Sequence, residues 1–123
     1  MEFDEAEVLG FVRTTIISVT ALELLFLLKA REVATVRNLV RELRSSETAL
    51  HAALYSLEMG QLLTCEADGI CRYNPATPAL RRTTSDVERL YRAKPLAVIR
   101  AILDTPDEKL RMFASAFRLR SDR

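Results

Sequence analysis

The sequence predicts a mostly α-helical single domain that carries one small β-hairpin. Three observations predict it. Apolar residues recur at helical spacing along most of the chain. A serine-rich turn, Arg44-Ser45-Ser46, separates two short helical patterns near the middle. Directly after them, LLTCEADGICRYN places Asp68-Gly69 between two alternating runs, a strong short-range hairpin signal. A chain of 123 residues, 49% hydrophobic and 28% charged, has the size and composition of one domain with a single core.

The first helix is expected over residues 4–17, with acids in its first turn where the positive end of the helix dipole favours them. Leu9, Phe11, Val12 and Ile16 give it a docking face. Thr20 to Glu23 matches a capping box, which predicts a fresh helix start. From Ala21 to Ala30 the chain is apolar nearly all round, so this helix is expected at the centre of the core. The wider apolar stretch from Thr14 to Ala30, about 17 residues, is short of the ~20 residues of a membrane span and holds Glu23, and the segment before it is acidic where a signal peptide is basic. A buried helix is the expectation, with membrane insertion as the alternative.

After a short connection at Glu32-Val33-Ala34, Thr35 can cap a helix whose Val36, Leu39, Val40 and Leu43 point inward. Its outer face carries Arg37, Arg41 and Arg44. Ser45 or Ser46 caps the next helix, in which Leu50, Leu54 and Leu57 face the core and Ala49 and Ala53 permit close packing. Glu47, Thr48, His51, Ala52, Tyr55 and Glu58 are expected outside. Gly60 is placed to end this helix in the left-handed conformation. The order helix, turn, helix, hairpin is that of a winged helix-turn-helix, whose second helix can enter a nucleic-acid groove with the hairpin beside it. Residues 1–19 then form an N-terminal helix, 20–75 the winged unit and 76–123 C-terminal helices.

Asn74 to Pro78 reads as a linker. Ser85 to Glu88 is a second capping box, expected to open a helix through Tyr91, and Pro95 restarts the pattern before Leu96, Ile99, Ile102 and Leu103. Thr105-Pro106-Asp107-Glu108 predicts a last helix over 106–119. Its stripe of Leu110, Phe113, Ala114 and Phe117 suits the core or a dimer seam.

Two cysteines bear on the hairpin. With a two-residue Asp68-Gly69 turn, Glu66 faces Cys71 and Cys65 falls on the opposite side of the sheet, which forbids a disulfide. A bulge would shift that parity. The expectation is two reduced thiols in a cytoplasmic protein. A lone C-x5-C and one histidine make no metal module, and no cofactor is expected. No phosphate loop or nucleophile motif is present, and His51, on an outer helix face without a partner motif, is expected to be solvated surface. The chain is not expected to be an enzyme.

The net charge of +1 does not by itself select a polyanion partner, so affinity for nucleic acid would have to be local. Charge is in fact uneven: residues 1–35 hold three basic against six acidic side chains, and the arginines lie behind them.

VRNLVRELRSSETALHAALYSLEMGQLL, with Leu57-Glu58-Met59-Gly60-Gln61-Leu62 running into the hairpin, resembles the helix-turn-helix of bacterial winged-helix transcriptional regulators. The likeness covers about residues 20–75. It implies a regulator that binds double-stranded DNA and forms a homodimer through its terminal helices. It further implies that Ser46, Glu47, Thr48, His51, Ala52 and Tyr55 face the major groove. Arg37, Arg41 and Arg44 would meet phosphates, with Arg72 on the wing and Arg81 and Arg82 extending the patch. The chain departs from a usual DNA reader in that no Lys or Arg stands between Ser46 and Met59, and the wing carries Glu66 and Asp68 beside Arg72. The alternative is a protein-interaction module that uses the same helix as a partner surface without binding DNA.

Overall fold

The computed structural model describes residues 3–104, and its centre is the helix Val19–Arg31. Among the described residues nine elements follow one another: α1 (Glu5–Thr15), α2 (Val19–Arg31), β1 (Val33–Thr35), α3 (Val36–Leu43), α4 (Glu47–Met59), β2 (Leu63–Cys65), β3 (Ile70–Tyr73), α5 (Pro78–Ala93) and α6 (Pro95–Leu103). The architecture is mostly helical with one three-stranded antiparallel sheet in the order β1-β3-β2. The predicted helix over 106–119 and its apolar stripe lie outside the described residues.

In α2, Ala21, Leu22, Leu24, Leu25 and Leu28 are fully buried, as its nearly all-apolar composition predicts. Each buried leucine contributes roughly 1.5–3 kcal/mol by leaving water. Glu23 stays exposed. The helix packs against α3, α4, β1 and β3, while α1, α5 and α6 pack on one another as a second layer. Lys29–Glu88 at 2.9 Å and the tilted Phe26–Tyr91 ring pair at 5.8 Å join α2 to α5. Lys94–Glu5 at 3.2 Å and Arg13–Asp104 at 2.8 Å hold α1 to the two ends of α6. Among the described residues no single helix is long and apolar enough to cross a membrane; α1 and α2 meet at 109°.

Several local expectations are corrected. The helix after α1 is capped by Ser18, whose hydroxyl accepts from the Ala21 N–H at 3.0 Å, so Thr20 lies inside the helix and its capping box is not used. Glu32-Val33-Ala34 is not a plain connection: Val33, Ala34 and Thr35 pair with Arg72, Cys71 and Ile70 as β1. The Ser85–Glu88 box falls within α5, which starts at Pro78. There Thr77 accepts from the Leu80 N–H and Pro78 takes the first helical position, where its missing N–H costs nothing.

Gly60 does not adopt the left-handed conformation. Gln61 does, at φ 64°, and the helix closes with Leu62 N–H donating to Leu57 O and Gln61 N–H to Glu58 O, the two bonds of a Schellman motif. Space at Gly60 is tight instead, since a Cβ there would meet Thr15 Cγ2 at 3.0 Å.

The hairpin register also differs. Gly69 N–H donates to Glu66 O and Glu66 N–H to Ile70 O, with Gly69 at φ 90°. The loop therefore has three residues, Ala67 to Gly69, closed by a glycine bulge rather than by a two-residue turn. One extra residue shifts the parity, Cys65 comes opposite Cys71, and the two form a disulfide. The expectation of two reduced thiols is overturned for that reason.

Candidate nucleic-acid interface

On α3, Leu39 is buried and Val36, Val40 and Leu43 are half-buried against the core. This turns Arg37, Arg41 and Arg44, spaced i, i+4 and i+7, to the solvent as one stripe. Thr35 caps the helix through the Asn38 N–H, as its place before the stripe predicts. At the other end Arg44 takes the left-handed conformation, φ 51° and ψ 36°, which stops the helix and turns the chain through Ser45 into α4.

Ser46 caps α4 by accepting from the Ala49 N–H at 3.1 Å. Ser46, Glu47 and Thr48 are exposed at its first turn, and His51 and Tyr55 are half-buried further along. Ala52 is not part of this outer face: it is 1% exposed, and Ser56 one turn on is fully buried. The helix buries a wider arc than the Leu50, Leu54 and Leu57 stripe alone. Its N-terminal turn presents backbone N–H groups and the positive end of the helix dipole, partly offset by Glu47.

The hairpin stands beside this pair. Glu58 of α4 accepts from the Cys65 N–H at 3.2 Å, which ties the loop end of β2 to the helix. Ala34, Cys71, Leu63 and Tyr73 line the core side of the sheet, whereas Val33, Thr64 and Arg72 pair across its exposed side. Arg72 lies 3.7 Å from Glu66, so the cation on the hairpin is partly neutralised there.

Ion pairing sorts the basic residues. Arg13, Lys29, Arg31, Arg72, Arg92 and Lys94 each have a carboxylate within 4.0 Å. Glu42, which lies in the row of α3 arginines, is committed to Arg31 of α2. Among the described residues Arg37, Arg41, Arg44, Arg81, Arg82, Arg89 and Arg100 have no such partner. Six of these seven fall into two groups, one on α3 and one on α5. Arg81 and Arg82, expected from the sequence to extend the α3 patch, lie on α5, which packs chiefly on α1 and α6. Arg81 lies over the Tyr73 ring at 5.3 Å from its centroid, on the side of β3 opposite Arg72. Arg89 joins Arg81 and Arg82 only once α5 is known to begin at Pro78.

Among the described residues no group of three or more His, Cys, Asp or Glu side chains is placed to hold a metal ion. Comparison with protein-family models, curated proteins and solved structures finds no match for this chain.

Proposed function

We propose that the chain binds double-stranded DNA as a winged helix-turn-helix transcriptional regulator, of the bacterial kind it resembles, and works as a homodimer. The observation that carries this reading is the stripe of Arg37, Arg41 and Arg44, exposed, without carboxylate partners and leading into the exposed N-terminal turn of α4. Uncompensated arginines beside a helix N-terminus are what phosphate contacts require. The element order α2-β1-α3-α4-β2-β3 with a three-stranded sheet supports it, being the order of a winged helix. Ser46, Glu47, Thr48, His51 and Tyr55 then face the groove. The homodimer is supported by Leu96 and Leu103, 65% and 69% exposed on α6.

The test is duplex binding as a function of salt. With three phosphate contacts, log K falls against log salt with a slope of about −3, and Arg41→Glu reduces both affinity and slope, the latter by about 1. Absence of binding to any duplex at low salt defeats the reading. One observation favours a second reading, a protein-interaction surface: α4 carries no Lys or Arg and ends at Met59, which is 60% exposed. In that case Tyr55→Ala abolishes partner capture by a protein that does not bind DNA.

A further inference from the structure

The second group of uncompensated arginines is built differently from the first. Pro78, Arg81, Arg82, Ser85, Asp86 and Arg89 line an open cleft of about 550 Å³ along the first three turns of α5. Arg81, Ser85 and Arg89 follow one another at i, i+4 and i+8, and Arg82 and Asp86 flank them. The Cα atoms of the three arginines thus fall within about 12 Å along the axis. The one acid among them, Asp86, makes no ion pair. The other carboxylate of this helix, Glu88, is turned away toward Lys29 and Arg92.

Two further features prepare the cleft for an anion. Arg81 is held against the Tyr73 ring, so part of its side-chain freedom is already lost before anything binds. Ser85 differs from the hydroxyls just before it. Thr83 and Thr84 donate back to the carbonyls of Ala79 and Leu80, both at 2.9 Å, whereas Ser85 makes no such bond and keeps its hydroxyl for another acceptor. Guanidinium groups match phosphate oxygens in pairs.

We propose that this cleft binds a small phosphorylated molecule, its phosphates held by Arg81, Arg82 and Arg89 with Ser85 donating to a phosphate oxygen. The site is separate from the α3 stripe and does not depend on the DNA-binding reading.

The experiment is calorimetric titration of the full chain with inorganic pyrophosphate at constant ionic strength, with no DNA present. Saturable binding at one site per chain is expected. Arg82→Glu with Arg89→Glu, both exposed positions, lowers the affinity at least about tenfold, and Asp86→Asn raises it by about threefold through loss of the lining acid. Arg37→Glu with Arg41→Glu, an equal change of charge on α3, leaves it within about twofold. Circular dichroism confirms that each variant is folded. No saturation up to about 10 mM pyrophosphate overturns the proposal, and so does an equal loss in the α3 variant, which would mark a general charge effect. Displacement of bound pyrophosphate by a short duplex also overturns it, assigning the cleft to nucleic acid. Failure of the salt-dependent DNA test alone leaves this titration unaffected.

Discussion

Cys65 stands directly opposite Cys71 across β2 and β3, with Cα atoms 4.1 Å apart, and the disulfide between them closes the loop that holds Gly69. Cross-linking a loop of this length stabilises the folded state by about 2 kcal/mol, mostly by restricting the unfolded chain. Adding a dithiol reductant therefore lowers the urea midpoint, and Cys65→Ser reproduces that midpoint and makes it insensitive to reductant. Coincident midpoints for the oxidised and reduced protein would show that the bond does not form in solution.

Ser18 and Thr20 compete for the start of α2, and only Ser18 accepts the Ala21 N–H. Ser18→Ala is expected to cost about 1 kcal/mol, the ordinary value of a lost N-cap. Thr20→Ala, inside the first turn, changes stability by less than about 0.5 kcal/mol. Denaturation midpoints of the two variants decide it, and a larger loss for Thr20→Ala would restore the capping box read from the sequence.

What the sequence made legible was local in origin. Thr35 and Ser46 were readable as caps because each places a side-chain oxygen immediately before an apolar stripe, and α2 because leucines nearly surround it. Strand β1 was not readable, since three residues become a strand only through the partners Arg72, Cys71 and Ile70, far along the chain. The hairpin was legible as a hairpin, but its loop length was not, because Asp-Gly suits both a two-residue turn and a glycine bulge. The same gap hid the arginine cleft: with α5 started at Ser85, Arg81 and Arg89 did not share a helix. The α3 stripe was visible from spacing alone, whereas its lack of carboxylates required knowing that Glu42 reaches Arg31.

Tyr73 lies half-buried on the core side of β3 with Arg81 over its ring, and its hydroxyl is buried without a hydrogen-bond partner. An unpaired buried hydroxyl is a cost, and the ring rather than the oxygen carries the contact with Arg81. Tyr73→Phe should leave stability unchanged or raise it by up to about 1 kcal/mol, whereas Tyr73→Ala loses about 3 kcal/mol with the ring. A loss above about 1 kcal/mol for the phenylalanine variant would mean that the hydroxyl is satisfied in solution.

Gly60 and Thr15 meet where α4 ends against the end of α1. At φ −76° and ψ 0° the backbone of Gly60 is open to any residue, so left-handed strain cannot be the reason for glycine here. The reason is contact, since an added Cβ meets Thr15 Cγ2 at 3.0 Å and the Ser56 carbonyl at 3.4 Å. Gly60→Ala gains something by restricting the unfolded chain, about 0.4–1 kcal/mol, and loses about 1–3 kcal/mol to crowding. A net loss is expected. Thr15→Ser removes the crowded methyl while keeping a hydroxyl, so in that background Gly60→Ala becomes neutral or stabilising. The double-mutant cycle should therefore show coupling of about 1 kcal/mol that favours the pair. Additive effects would place the cost of the alanine on the Ser56 side, within α4 itself, and would free α1 from any part in fixing where the hairpin begins.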